Sequence, residues 1–455
     1  MNKTGHFARV TELNGIPRAA EAFPLAMQHV VAMIVGCVTP AIILSGATGL
    51  NAADHVRLIQ ASLLISGLAT LLQLFPLGRF AGSGLPVIMG ASFAHVPLLI
   101  ALGGQFGMPV VLGAQMVGGI VAILVGVFYR RLSRLFTPLV TGTVVFTIGL
   151  SLYPTAINYM AGGAGAPDFG SPRHWFLAIA TLAIVTFFSY FTKGICKLAS
   201  ILIGIICGYL MALAMGMVSF EGIKDASWFQ FTSPFYFGLK FDITAIISMA
   251  IMYVVGSLEI MGDFTSTAGG GLNRGVKDEE MCGGIIGNGV ISILGSIFGG
   301  LPTATFSQNV GIVIMTKVVN RCVLGLAAVM IILAGLVPKF AALLTTIPSS
   351  VLGGATVSVF AMISMTGIKL VVKEGLNTRN TAVVGLSVAL GSGVIQVADC
   401  FALFPEWAKT IFGTSPVVIA TITAVTLNLL LPKNLDEEET EEAPIPRHGK
   451  VALDE

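Results

Sequence analysis

Between residues 23 and 431 the chain repeats one pattern, an apolar run of about twenty residues followed by a short polar break. Each run is long enough to cross a hydrocarbon core about 30 Å thick. The pattern predicts an all-α polytopic membrane protein with fourteen transmembrane segments, over 23–44, 56–77, 84–101, 107–128, 135–155, 174–191, 198–217, 242–262, 281–299, 303–316, 322–338, 348–366, 380–397 and 415–431. The first run carries polar groups and has no small-residue cleavage site after it, so it reads as a span and not as a signal peptide. "FALFPEWAKTIF", Phe401 to Phe412, is too short and too charged to span, and reads as an interfacial helix with Trp407 near the headgroups. Residues 1–22 form an N-terminal tail, and the acidic, Pro-containing stretch 432–455 is expected to be disordered.

Segments three and ten depart from the pattern in the same way. "GLPVIMGASFAH" begins at Gly84 and "GLPTATFSQNVG" at Gly300, 216 residues apart, while the first and eighth segments start 219 apart. The chain therefore reads as two units of seven spans. Seven is odd, so the second unit enters the membrane from the opposite side, which makes an inverted repeat. Pro86 and Pro302 cannot continue a helix inward, so each segment is expected to run extended and then turn helical. Extended backbone at that depth needs partners. Two short strands, antiparallel by the inversion, can supply them to each other and leave two helix N-termini facing one cavity, where their unpaired N–H groups favour carbonyl oxygens or anionic character.

Charge orients the map. Apart from Arg57, Arg173, Lys224, Lys240, Lys339 and Lys409, the 25 Lys and Arg residues fall in the tails or in loops on one side. The positive-inside bias makes that side, and both termini, cytoplasmic in an inner or plasma membrane. With 11% charged residues the chain is far below the roughly 25% of soluble proteins. A net charge of +2 without a basic arm points to no nucleic-acid partner. Cys37, Cys196, Cys207, Cys282, Cys322 and Cys400 are scattered, implying neither a disulfide framework nor a metal site. No nucleophile–base pair or cofactor motif is visible, so an enzyme is not expected.

Ionisable or imidazole groups well inside spans are His29, His95, Glu259 and Asp263. Glu259 and Asp263 stand four apart on one helix face. Intramembrane acids are costly and are functional candidates by default, the alternative being a structural pair bonded to backbone. His29 is either proton-linked or an interhelical strut, and His95 either lines the cavity or packs helices. Gln28 and Asn288 read as polar glue. Ser307, Gln308 and Asn309 stand where the second half-helix begins, to bind a ligand or only to cap it.

The stretch "SQNVGIVIMTK" resembles the signature of the nucleobase-ascorbate transporter family, through Gln308, Asn309, Gly311, Thr316 and Lys317. Three further motifs agree in order: Gln28-His29, "GASF" from Gly90 to Phe93, and Glu259-x-x-Gly262-Asp263. The resemblance implies a core domain of spans 1–4 and 8–11 and a gate domain of spans 5–7 and 12–14. The boundaries are then 23–155 for core spans 1–4 with gate span 5, 156–241 for gate spans 6–7 and an external loop, 242–338 for core spans 8–11, and 339–431 for gate spans 12–14. It implies proton symport, with sodium as the alternative coupling ion, an elevator-like displacement, a homodimer through the gate domain, and no cofactor. Glu259 inherits the role of base ligand, and Gln308 points to the xanthine and uric acid branch. A uracil or other nucleobase symporter, or an anion exchanger or channel of the same architecture, is the alternative. This chain departs from the pattern at Asn288, where many purine members carry aspartate, and at Ser92, often asparagine.

The chemistry fits. A 2,6-dioxopurine presents alternating N–H donors and C=O acceptors, which a carboxylate and a primary amide read side by side. Glu259 accepts two N–H groups, Gln308 donates one bond and accepts one, and N–H groups near Phe93 and the Gln308 turn take the carbonyls. Phe93 or Phe306 stacks on the ring. Protonation of Asp263, Glu259 or His29 in one leg of the cycle supplies coupling.

Overall fold

The computed structural model describes residues 10–432 except 79, 134, 136, 164, 225, 398 and 399. The acidic tail beyond 432, the first nine residues, and the loop cations Arg79 and Arg134 lie outside the described residues. The main helices of the first half are α1 (Ala19–Ala47), α2 (Ala52–Leu74), α3 (Val96–Phe106), α4 (Met108–Val127), α5 (Pro138–Met160), α6 (Pro172–Phe191) and α7 (Ser200–Ala214). Those of the second are α8 (Ile243–Leu272), α9 (Asp278–Phe298), α10 (Ser307–Thr316), α11 (Arg321–Gly335), α12 (Ser349–Lys373), α13 (Thr378–Val394) and α14 (Pro416–Leu430). Proline opens α4, α5, α6 and α14, where its missing N–H costs no helical bond. Asn51, Asp242, Asn320 and Asn377 cap α2, α8, α11 and α13 by accepting backbone N–H bonds.

Among the described residues eight helices are long and apolar enough to cross a membrane, or nine if one bent pair counts as a single span. The pair's first member is the expected run 322–338; the short second helix was not expected. α11 stops at Gly335, and a separate helix, Pro338–Thr345, leaves at 82°. Pro338 cannot donate back into α11, and instead begins the new helix. α8 departs from the expected 242–262, continuing through "FTSTAGGGL" to Leu272 before Asn273 ends it in the left-handed region. Its backbone bonds outlast its apolar face. The helix expected over 401–412 is found at Glu406–Thr414, packed against α8, α14 and α3.

Strand β1 (Met89–Ala91) pairs antiparallel with β2 (Thr303–Thr305), with Met89 opposite Thr305, Gly90 opposite Ala304 and Ala91 opposite Thr303. Ser92 N–H to Pro302 O (2.8 Å) and Phe306 N–H to Ile88 O (2.9 Å) extend the ladder at its ends. Both strands are buried, and each leads to a half-length helix, α3 or α10.

The helices pack as two groups. In one, α2 lies along α11, α4 along α9 and α8, and α1 along α11; in the other, α5 lies along α12, α6 along α7 and α12, and α13 along α14. Small residues permit the close crossings: a Cβ on Gly119 would meet Gly289 O at 2.8 Å, and one on Gly142 would meet Gly367 O at 2.8 Å. Contacts between the groups include α8 with α5 and α14, α1 with α7, and α3 with α5.

Candidate functional site

The strand pair brings the starts of α3 and α10 together beside one face of α8, on which Tyr253, Gly256, Glu259 and Asp263 recur at helical spacing. The two acids of that face do different things. Asp263 is buried and fully engaged, its carboxylate accepting from Thr305 Oγ1 (2.6 Å) and from Ser307 Oγ (2.9 and 3.1 Å). It fastens β2 and the first residue of α10 to α8. Glu259, one turn earlier, has a buried Oε2 with no protein partner.

α10 begins without a side-chain cap at Phe306, so Ser307, Gln308 and Asn309 do not serve as caps. Ser307 binds Asp263. Asn309 is buried, its Nδ2 donating to His29 Nδ1 (3.1 Å) and to the His29 carbonyl (3.2 Å), which ties α10 to α1. His29 is thus an interhelical strut in this arrangement. The partly buried Gln308 amide makes no hydrogen bond among the described residues, and neither does Gln28. Asn288 accepts from Thr303 Oγ1 at 2.7 Å and holds β2 from the α9 side.

Ser92 is buried with its Oγ 2.9 Å from His95 Nδ1. Phe93 stands edge-on to Phe360 of α12, ring centroids 5.4 Å apart, so it joins the two helix groups at the site. Phe306 is the alternative stacking ring to Phe93. Its ring tip wedges over two glycines, 2.1 Å from where a Cβ on Gly90 would lie and 2.9 Å from one on Gly36, so packing holds it in place.

Sequence reasoning missed several contributors. Phe360 had no distinguishing signal within an apolar run. Thr70 accepts from Met89 N–H (2.9 Å) and steadies β1 from α2. Gln73 donates to Gly284 O (2.8 Å) and accepts from Ser83 N–H (2.9 Å), and Gln115 donates to Gly300 O (2.9 Å). Lone glutamines in "LLQLF" and "GAQMV" were a usable sign that non-helical backbone nearby needed partners.

The arrangement leaves a carboxylate oxygen and a primary amide free, on facing elements, where two helices begin. Such a set suits a flat, neutral ligand that offers N–H and C=O groups along one edge. The model of the Permease family (Xan_ur_permease) matches residues 20–400 of the chain. A xanthine permease of Bacillus subtilis (strain 168) is 39% identical over 408 residues, covering 89% of this chain and 92% of its own. The uric acid permease PucK of the same organism is 37% identical over 412 residues, covering 90% and 95%. Among solved structures, the transmembrane domain of a cyanobacterium bicarbonate transporter, BicA, superposes with a TM-score of 0.54 at 16% identity, covering 89% of this chain and 97% of that one.

Proposed function

Since the chain belongs to this Permease family, the nucleobase-ascorbate transporters, and is a multi-pass membrane transporter and not an enzyme, we propose that it imports a purine nucleobase, xanthine or uric acid, by proton symport. The observation that carries the reading is the pair of unpartnered groups, Glu259 Oε2 and the Gln308 amide, at the meeting of α3, α8 and α10. The carboxylate accepts base N–H groups, and the amide reads a neighbouring C=O and N–H. Ser92, Phe93, Ser307 and Asn309 shape the pocket, with Phe93 and Phe360 enclosing it and Phe306 setting the spacing of its floor. Asp263, His29 and Asn288 supply the surrounding polar contacts, with Gln28 beside His29 as a further polar group. The fold neighbour named for bicarbonate does not choose the cargo, because one fold serves many sites. Glu259 within the cavity disfavours an anion.

Fourteen spans in a 7+7 inverted repeat complete the proposal. Helix packing supports it, since exchanging each helix for the one seven further along turns the α4–α9 pair into α11–α2, α6–α7 into α13–α14, and leaves α5–α12 unchanged. The two helix groups correspond to core and gate, moving as an elevator, with a homodimer through the gate. The proposed topology puts both termini on the cytoplasmic face of the cell membrane. Contacts within each face support it: Arg57 lies over Tyr236 and Lys339 over Trp228 at one end, while Arg130 pairs with Asp278 and Arg321 bonds Asn14 Oδ1 at the other. Uptake of labelled xanthine, uric acid and uracil in cells lacking their own permeases tests the cargo. Saturable purine uptake that collapses with an uncoupler and ignores sodium is expected. Uptake competed best by uracil overturns the purine assignment, and strict sodium dependence at fixed potential overturns the coupling.

A further inference from the structure

His95 uses only one of its two ring nitrogens within the protein. Nδ1 lies 2.9 Å from Ser92 Oγ, while Nε2 is buried without a partner on a residue 1% exposed. The ring stands edge-on to Tyr253, centroids 5.0 Å apart, and its Cε1 comes 3.2 Å from where a Cβ on Gly256 would lie. It is therefore laid against the face of α8 that carries Glu259. Gly256 and Glu259 are three residues apart and neighbours on that face, so the His95 ring, with its unpartnered Nε2, packs about one turn from Glu259, with its unpartnered Oε2. Gln308 follows Ser307, which fastens the start of α10 to Asp263, one turn beyond Glu259. Along α8, Glu259 thus lies between Gly256, against which His95 packs, and Asp263, to which Ser307 fastens the start of α10.

We propose that His95 is a specificity-determining residue whose Nε2 hydrogen-bonds the edge of the base that Glu259 and Gln308 leave unread. The proposal rests on the purine reading above. Ser92 sets the polarity of the contact. When its hydroxyl donates to Nδ1, Nε2 carries the proton and reads a carbonyl or ring nitrogen; when it accepts from Nδ1–H, Nε2 is a lone pair that reads an N–H. Purines that differ at that edge are then distinguished by one hydrogen bond. A packing role alone would leave a buried ring nitrogen unpaired, which folded proteins seldom do.

Two amide substitutions separate the roles of the two nitrogens. In His95→Asn the amide falls near the place of Nδ1 and keeps the Ser92 bond; in His95→Gln it reaches the place of Nε2. Cells carrying each variant are assayed for labelled xanthine uptake, with unlabelled xanthine, uric acid and hypoxanthine as competitors, and membrane content is measured by immunoblot. His95→Ala and His95→Asn are expected to change the ratio of competitor constants by about tenfold, the scale of one hydrogen bond, while His95→Gln stays near wild type. Ser92→Ala, which leaves the imidazole in place and frees its tautomer, shifts the ratio in the same direction should the other variants fail to insert. Unchanged ratios in His95→Ala, or preservation by Asn and loss by Gln, overturn the proposal. A wild-type protein that takes up no purine overturns the underlying reading instead, so the two failures are told apart.

Discussion

Four ionisable or imidazole residues stand at membrane depth, and the structure divides them by what each already binds. Asp263 and His29 are engaged by Thr305, Ser307 and Asn309, whereas Glu259 and His95 each retain a buried free atom. Their substitutions should therefore fail differently. Glu259→Gln keeps the size and replaces one acceptor with a donor. Two bonds to a charged acceptor, roughly 1.5–3 kcal/mol each, are weakened, so xanthine or uric acid binding should fall by at least two orders of magnitude at unchanged membrane content. Equilibrium binding to purified protein decides, and wild-type affinity in the variant would remove the carboxylate from the ligand set. Asp263→Ala instead frees β2 and α10 from α8, and should lower thermal stability by about 2 kcal/mol as two hydroxyls lose a charged acceptor. An unchanged melting temperature in detergent would show that the tie contributes nothing. The motif spacing identified both acids, but their division of labour depends on which hydroxyls β2 brings within reach.

At the scale of elements, the strand pair was legible because Pro86 and Pro302 forbid a helix at corresponding places in two halves of the chain. Its fit was not. Gly90 is required because the Phe306 ring covers the position of its missing Cβ at 2.1 Å. Gly90→Ala should cost about 1–3 kcal/mol by overpacking, and the second change Phe306→Leu should recover part of it. Thermal denaturation of the two variants checks this, and a single variant as stable as wild type would show that the slot is slack. The break between α11 and the helix Pro338–Thr345 had its signal in Pro338, where the expected segment 322–338 ends, but the short helix beyond it lacks the length of a span and was not foreseen. The continuation of α8 past 262 escaped for another reason, since a helix persists on backbone bonds after its apolar face has ended.

For the whole molecule, the proposed elevator requires the two helix groups to slide past each other. Ser415 Oγ, before α14, lies 3.7 Å from Met252 Sδ on α8, one from each group and neither in the proposed site. With the six native cysteines replaced, Met252→Cys paired with Ser415→Cys should lose uptake on oxidation and regain it on reduction. Full uptake after complete cross-linking would show that the groups need not move relative to each other. Read alone, the sequence determined the class of the protein, the placing of nearly every long helix, the two broken segments, and the motifs that carry the family resemblance. It did so because membrane burial writes itself into composition and length, and because Pro and Gly restrict backbone locally. Only the tertiary structure decided which polar residues are satisfied and which are free, and that Phe360 stands against Phe93 and His95 against Tyr253. Those facts depend on pairs such as Phe93 with Phe360 and Asp263 with Thr305, whose members lie far apart in the chain and acquire neighbours only when the helices pack.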